Sequence, residues 1–300
     1  MILLLLALPT LFWDGGSPGA PALKKAGITH ILVPPSQLES WKSIPGIAAG
    51  AADLASAAKL VAPGVENRTG EASASRAPWL NSNGWKFLRQ PAGRFYYDAP
   101  GKQAALAAAE AFSYDAAATI RTDAAGLEPL GEMLAFLRGP SPAPGPALAD
   151  IGFIDDGSPA AGEVMNLLIR NNLLFRIVPS PDPHLKLTVR FGSSDYPLSE
   201  AGNPAMMAHK IRGDLTDDRR TVRIYGSAVV IARVTGSAGR ARIHLLNYAG
   251  AARKVEGIRV RVLGRYSKHQ QELLDYTFDS TATEFTVPEL KIYTVVDLFR

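Results

Sequence analysis

Four prolines fall within the eight residues from Gly139 to Pro146 (Gly-Pro-Ser-Pro-Ala-Pro-Gly-Pro). Proline fixes φ and lacks a backbone donor, so this run can neither continue a helix nor sit in a central strand; it is a stiff linker. It divides a chain of 300 residues, which is too long for one ordinary core. Three regimes of composition follow, with expected boundaries at 1–139, 147–220 and 221–300.

The first regime alternates short apolar strands with Ala-rich helices. Leu11 to Asp14 is strand-like and ends in Gly15-Gly16. Ser17 with Pro18 then starts a helix closed by Gly27. Thr29 to Val33 is the next strand, Gln37 to Lys42 a helix, and Ile47 to Ala49 a short strand. Lys102 to Phe112 reads as helix, Ala117 to Arg121 as strand, and Leu127 to Leu137 as a helix with one apolar stripe. Such a cadence implies parallel strands with right-handed crossovers. In the second regime, strands at Asp150 to Ile154, Leu174 to Val178 and Leu185 to Phe191 alternate with helices from Ser158-Pro159 to Asn171 and from Ala205 to Leu215. This is a small βαβ layer, flavodoxin-like at a coarse level. The third regime has no helical periodicity. In Ile258, Val260 and Val262, with Arg259 and Arg261 between them, apolar and charged residues alternate at period two, which half-buries a strand. Further strands at Val222 to Tyr225, Ala228 to Val234, Ala241 to Leu246, Glu284 to Val287 and Ile292 to Leu298 give an antiparallel sandwich or small barrel.

Composition removes several classes of function. The chain has no cysteine, so disulfides, thiolate nucleophiles and Cys-ligated metals are excluded. A net charge of +4 is spread along the chain without a basic face, which argues against nucleic-acid binding. The five histidines, His30, His184, His209, His244 and His269, show no ligand spacing. Neither a phosphate loop nor a nucleophile elbow is present; no metal or other cofactor is implied. The apolar run Ile2 to Leu8 is far too short to span a bilayer. It reads either as the remnant of an export signal, placing the protein outside the cytoplasm or in the periplasm, or as part of a buried first strand.

The densest polar-aromatic stretch runs from Glu66 through Arg68, Glu71, Trp79, Asn81, Asn83 and Trp85 to Tyr97 and Asp98. Aromatic faces stack on sugar rings, and amide, carboxylate and guanidinium groups match ring hydroxyls. Cleaving a glycosidic bond takes two carboxyls about 5–10 Å apart. Glu66, Glu71 and Asp98 are therefore the candidate catalytic acids. Asp14, Arg68, Trp79, Asn81, Asn83, Trp85 and Tyr97 are the candidate substrate contacts. A surface loop with a few helix caps would carry the same residues. Asp155-Asp156-Gly157-Ser158, at a strand-to-helix junction, reads as turn and cap.

The order of parts adds a resemblance. Phe12-Trp13-Asp14-Gly15-Gly16 opens a β/α segment, a flavodoxin-like layer follows, and a β module closes with Ile224 to Ser227, His244 to Tyr248, Thr286 to Leu290 and Tyr293 to Val296. This arrangement resembles barrel-type glycoside hydrolases of the bacterial β-galactosidase kind. It implies a (β/α) barrel, an amidotransferase-like middle domain that would support homo-oligomers, and a C-terminal β-sandwich. The first segment ends by Gly139, whereas a full eight-fold barrel takes roughly 200 residues or more. The expected fold is thus α/β plus all-β, with a shortened barrel. Two functions stay open: hydrolysis of oligo- or polysaccharide by paired carboxyls, and carbohydrate binding or a structural role without catalysis.

Overall fold

A computed structural model describes residues 8–66, 78–140, 143, 145–237 and 239–300. The first layer holds β1 Thr10–Phe12, β2 His30–Val33, β3 Ala48–Ala51, β4 Ala58–Leu60, β5 Gly64–Glu66, β6 Trp79–Asn81, β7 Phe95–Asp98 and β8 Ala118–Arg121. Six of these strands form one parallel sheet in the order β3-β2-β1-β8-β7-β4. The other two, β5 and β6, pair as an antiparallel hairpin inserted between β4 and β7. Helices α1 Ala20–Lys25, α2 Leu38–Trp41, α3 Gly84–Arg89 and α4 Gln103–Ser113 lie on the crossovers, and α5 Ala124–Leu137 follows β8.

Each step β1→β2→β3 and β4→β7→β8 moves the same way along this sheet. Right-handed crossovers then place every helix on one face. Burial agrees: Leu11, Ile31, Val33, Leu60, Phe95, Tyr97 and Ile120 are closed off beneath the helices. The alternate residues Thr10, Lys59, Tyr96, Asp98, Thr119 and Arg121 keep partial exposure on the other face. Residues 52–57 carry the chain from β3 to β4, which are opposite edges of the sheet. Laid flat, six strands put those edges roughly 24 Å apart. A connection of this length that includes the 3-10 turn Leu54–Ser56 reaches roughly 20 Å at most. The sheet must therefore curl. Asp53 and Leu54 of this connection line a cavity of about 190 Å³ together with Thr10 and Thr119 of the central strands, which fits the curl. Among the described residues, no ladder joins β3 to β4.

Two local choices hold this layer. Gly131 of α5 lies against α1, where a Cβ would come within 1.8 Å of the Ala26 carbonyl oxygen; only glycine lets the helices approach so closely. The other is Glu110, set in the Ala-rich helix α4 and wholly buried. It accepts hydrogen bonds from Tyr97 Oη at 2.6 Å, Tyr248 Oη at 2.5 Å, Ser82 Oγ at 3.1 Å, Asn83 N at 2.8 Å and Asn83 Nδ2 at 3.1 Å. A buried carboxylate is tolerated when its lone pairs are filled in this way. Because Tyr248 comes from the C-terminal β module, Glu110 also joins the two ends of the chain.

The second layer is a three-stranded parallel sheet, β10 Phe175–Ile177, β9 Ile151–Ile154 and β11 Leu187–Arg190, with β9 central. It carries α6 Pro159–Arg170 and α7 Pro204–Leu215. Ser158 Oγ accepts from Ala161 N at 3.1 Å and caps α6. Asp155 takes a bidentate bond from Arg89, at 2.8 and 2.7 Å, so the acidic turn ties this layer to α3.

The third part holds β12 Val222–Tyr225, β13 Val230–Ser237, β14 Arg240–Asn247, β15 Val255–Leu263, β16 Lys268–His269, β17 Leu274–Phe278, β18 Ala282–Leu290 and β19 Tyr293–Phe299. They form two antiparallel sheets, β12-β15-β18-β17 and β13-β14-β19-β16. Ile258, Val260 and Val262 are buried between them, as their alternation predicts. The proline-rich segment emerges against this part: Gly236 N donates to Pro146 O at 2.9 Å and Leu148 N to Val234 O at 2.8 Å. One apolar cluster runs through the first two layers and takes in Ile231, Leu246 and Tyr293 of the third.

The observed sheets agree with a mixed α/β and antiparallel β chain. Some details differ from the expectation. Ser17 does not cap a helix; it begins a 3-10 turn, Ser17–Gly19, and α1 starts only at Ala20. Phe95–Asp98, in the polar-aromatic stretch that the sequence leaves without an assigned element, is a strand of the parallel sheet. The strands β4, β5, β6, β16 and β17 were not predicted by the sequence patterns, being short or weakly alternating.

Candidate functional site

In parallel sheets wound in one direction, side chains at the carboxyl ends of strands meet the βα loops and form the usual ligand-binding edge. Here that edge gathers charge. Asp14 follows β1, Asp98 ends β7, Arg121 ends β8 and Lys59 lies in β4. Arg121 Nε lies 3.8 Å from Asp14 Oδ2 and 3.5 Å from Asp98 Oδ1. Those two carboxylate oxygens are therefore no more than about 7.3 Å apart, the sum of the two distances. Lys59 Nζ donates to Asp98 Oδ2 at 3.2 Å. The side chains of Asp14, Asp98 and Arg121 are 53%, 38% and 44% exposed. Ion pairs this open to water contribute only about 0–1 kcal/mol each, so the cluster is not there chiefly to hold the fold.

The loops beneath it are fixed. Trp13 Nε1 donates to Gly16 O at 2.9 Å, and Gly16 adopts φ 74°, a left-handed value natural to glycine. The Trp-Asp-Gly-Gly turn thus folds over its own indole and presents Asp14. Gln37 Nε2 donates to the Asp14 carbonyl at 3.0 Å. Asp123 Oδ1 accepts from Gly126 N at 3.0 Å, capping α5, and from Gly101 N at 2.9 Å. Thr122 Oγ1 donates to Ala99 O at 2.7 Å. These bonds lock the carboxyl ends of β7 and β8 side by side.

The other expected site residues lie elsewhere. Glu66 is exposed on the β5–β6 hairpin, opposite Trp79. Glu71 and Arg68 fall outside the described residues. Arg170 stacks on one face of Trp79 at 3.9 Å. Asn81 pairs with Gly64 across the hairpin and is half-buried. Trp85 is wedged beside Arg89, 5.3 Å from its ring, and against Gly162 of α6. Two expectations are corrected by burial. Tyr97, 0% exposed, offers no face to a sugar, and Asn83, 1% exposed, is consumed by Glu110 and by the backbone of Val61, whose N–H it accepts at 3.3 Å and whose carbonyl it meets at 2.8 Å. Asn83 instead clasps the base of the hairpin excursion. The sequence patterns did not single out Lys59 or Arg121. Arg121 carried a signal, a charge closing the strand Ala117 to Arg121.

Among the described residues no cluster of three His, Asp or Glu side chains is placed to hold a metal ion. None of the described helices is long and apolar enough to cross a membrane.

No protein-family model and no curated protein sequence matches this chain. Solved structures do. The α-L-fucosidase isoenzyme 2 from Paenibacillus thiaminolyticus superposes with a TM-score of 0.56 over 88% of this chain and 70% of its own, at 11% identity. A maltogenic α-amylase from Thermotoga neapolitana aligns over 99% of both chains at 8% identity, with a TM-score of only 0.28. The fucosidase match shows the arrangement of layers. Over the superposed residues this chain shares the fold of that structure.

Proposed function

We propose that this chain is a glycoside-hydrolase-like protein that takes an oligo- or polysaccharide at the carboxyl edge of its curled sheet and hydrolyses it with Asp14 and Asp98. The observation that carries this reading is the pair of exposed carboxyls flanking Arg121, no more than about 7.3 Å apart by the two distances to its Nε. Glycosidases work with carboxyls separated by about 5–10 Å: one protonates the departing oxygen while the other attacks the anomeric carbon or activates a water. Arg121 and Lys59 would orient these carboxyls and meet sugar hydroxyls. The hairpin, with Glu66, Trp79 and Asn81, rises from the loop after β4 and would form a rim for the sugar chain.

In this proposal the curled sheet is a shortened (β/α) barrel of residues 1–139. The flavodoxin-like layer, 147–220, and the sandwich, 221–300, are further domains, the former available for homo-oligomers. One observation favours a second reading, sugar binding without turnover. Asp98 is held by two cations, Lys59 at 3.2 Å and Arg121 at 3.5 Å, which fix its carboxyl in place as an acceptor for sugar hydroxyls.

A panel of 4-nitrophenyl glycosides and a glycan array test both readings. Turnover of at least one glycoside that is lost in Asp98→Asn supports hydrolysis. Glycan binding without turnover, lost in the same variant, supports the second reading. Neither binding nor turnover contradicts both.

A further inference from the structure

At the opposite, amino-terminal end of the parallel strands, a cavity of about 360 Å³ lies between the first layer, the end of the proline-rich segment and the β13–β14 hairpin. Phe87, Phe95 and Phe112 form its apolar wall, while Arg233, Thr235 and His244 mark its polar end. Among the described residues, three polar atoms on that end have no hydrogen-bond partner. His244 is 4% exposed; its Nδ1 meets Tyr293 Oη at 2.7 Å, leaving Nε2 unpaired. Thr235 Oγ1, on a residue 8% exposed, and Arg233 Nε are also unpaired. Buried polar groups are nearly always paired, so three orphans on one cavity point to a ligand.

Charge narrows its class. Arg233 stacks over Tyr114 at 4.4 Å, and among the described residues no carboxylate lies within ion-pair distance of it. Its neighbour Arg242 is neutralised by a bidentate bond to Asp297, at 2.9 and 2.8 Å. Burial, with Arg233 and Arg242 nearby, lowers His244 to about 3, so its imidazole is neutral and contributes a hydrogen bond instead of a charge. Arg233 is thus a half-buried cation whose nearest opposite charge is the exposed rim carboxylate of Asp115, outside ion-pair distance, and such a partly desolvated group favours an anion. With one face covered by Tyr114, its free N–H edge matches a carboxylate fork. Asp115, exposed at the rim, discourages a second negative charge.

We propose that this inter-layer cavity binds a small organic monocarboxylate, its carboxylate on Arg233, Thr235 and His244 and its apolar body against Phe87, Phe95 and Phe112. The site is separate from the carboxyl-edge cluster, and nothing in it depends on sugar chemistry.

Isothermal titration and thermal shift on the full chain test it with sodium benzoate, its neutral isostere benzamide, and inorganic phosphate. Benzoate should bind and raise Tm, with benzamide and phosphate at least about ten-fold weaker, one strong charged contact being lost or misfitted. Arg233→Gln should weaken benzoate at least about ten-fold, Arg233→Lys should recover part of the loss, and Asp98→Asn should leave binding unchanged. Thr235→Val, which removes only the orphan hydroxyl, should weaken benzoate by about three-fold or more, so the proposal stays testable if Arg233→Gln fails to fold. Absence of benzoate binding, equal binding by benzamide, tighter binding of phosphate, or undiminished binding in Arg233→Gln or Thr235→Val would each overturn it.

Discussion

Glu110 and the Asp14–Asp98 pair belong to the same α/β layer, and they are handled in opposite ways. Glu110 is wholly enclosed, and among the described residues it accepts five hydrogen bonds, none of them from a cation. Its negative charge is balanced by oriented hydroxyl and amide donors, and every lone pair is used. Asp14 and Asp98 face solvent and share Arg121, Lys59 donating to the second Asp98 oxygen, so both carboxyls keep lone pairs open to water. A saturated buried carboxylate organises a fold; an open pair at a strand edge is available to a substrate. The difference lies in what fills the lone pairs, since the carboxyl chemistry is common to both.

The largest expected effect is at the buried member. Glu110→Ala strands the hydroxyls of Tyr97 and Tyr248 and the Asn83 amide, and should cost about 3–5 kcal/mol in denaturant unfolding. Tyr248→Phe, which removes one donor, should cost about 1–2 kcal/mol. A loss below 1 kcal/mol for Glu110→Ala would break the contrast.

Next comes a pH effect in the same buried belt. His244, with a folded value of about 3 against an ordinary 6.5, binds no proton where the unfolded chain does. Its folded value is depressed, so stability is full above about pH 6.5 and falls as pH drops toward 3, by about 1.4 kcal/mol per unit within that window. His244→Gln should flatten this slope in urea titrations at pH 7, 6 and 5, and an unchanged slope would place the titrating group elsewhere. Smaller still, Asp14→Asn and Asp98→Asn should change stability by no more than about 0.5 kcal/mol, because their ion pairs are open to water. The smallest effect is expected of Glu66→Gln on the exposed hairpin. It should leave stability and kcat unchanged, any effect being confined to KM because Glu66 lies on the rim, and a fall in kcat would bring the hairpin into the reacting centre.

Much of the architecture was legible because it rests on periodicity. Alternation in Ile258 to Val262 matches the buried face of β15, and Ser158-Pro159 begins α6 as its side-chain chemistry dictates. Phe95 to Asp98 was harder to read. Its aromatic residues look like sugar platforms in sequence, yet alternation puts Tyr97 under the helices and Asp98 on the open face. Asn83 is ambiguous for a similar reason, since an amide that clasps a loop has the same composition as one that waits for a hydroxyl. Glu110 left one trace, a lone acid in the Ala-rich run from Ala104 to Phe112, whose partners come from the loop after β6, from β7 and from the end of β14. Pairings between residues so far apart leave no local pattern. Asp14 and Asp98 were both visible as candidates, but only the strand order joins them through Arg121.

Hydrolysis of a 4-nitrophenyl glycoside panel by the full chain and by Asp98→Asn, with glycan binding measured on both, tests the carboxyl-edge site most directly. The account predicts that Asp98→Asn keeps its fold and loses the sugar function, with turnover, where the parent shows it, falling by about 10²–10⁴-fold. Sugar binding or turnover equal in the two proteins would contradict it.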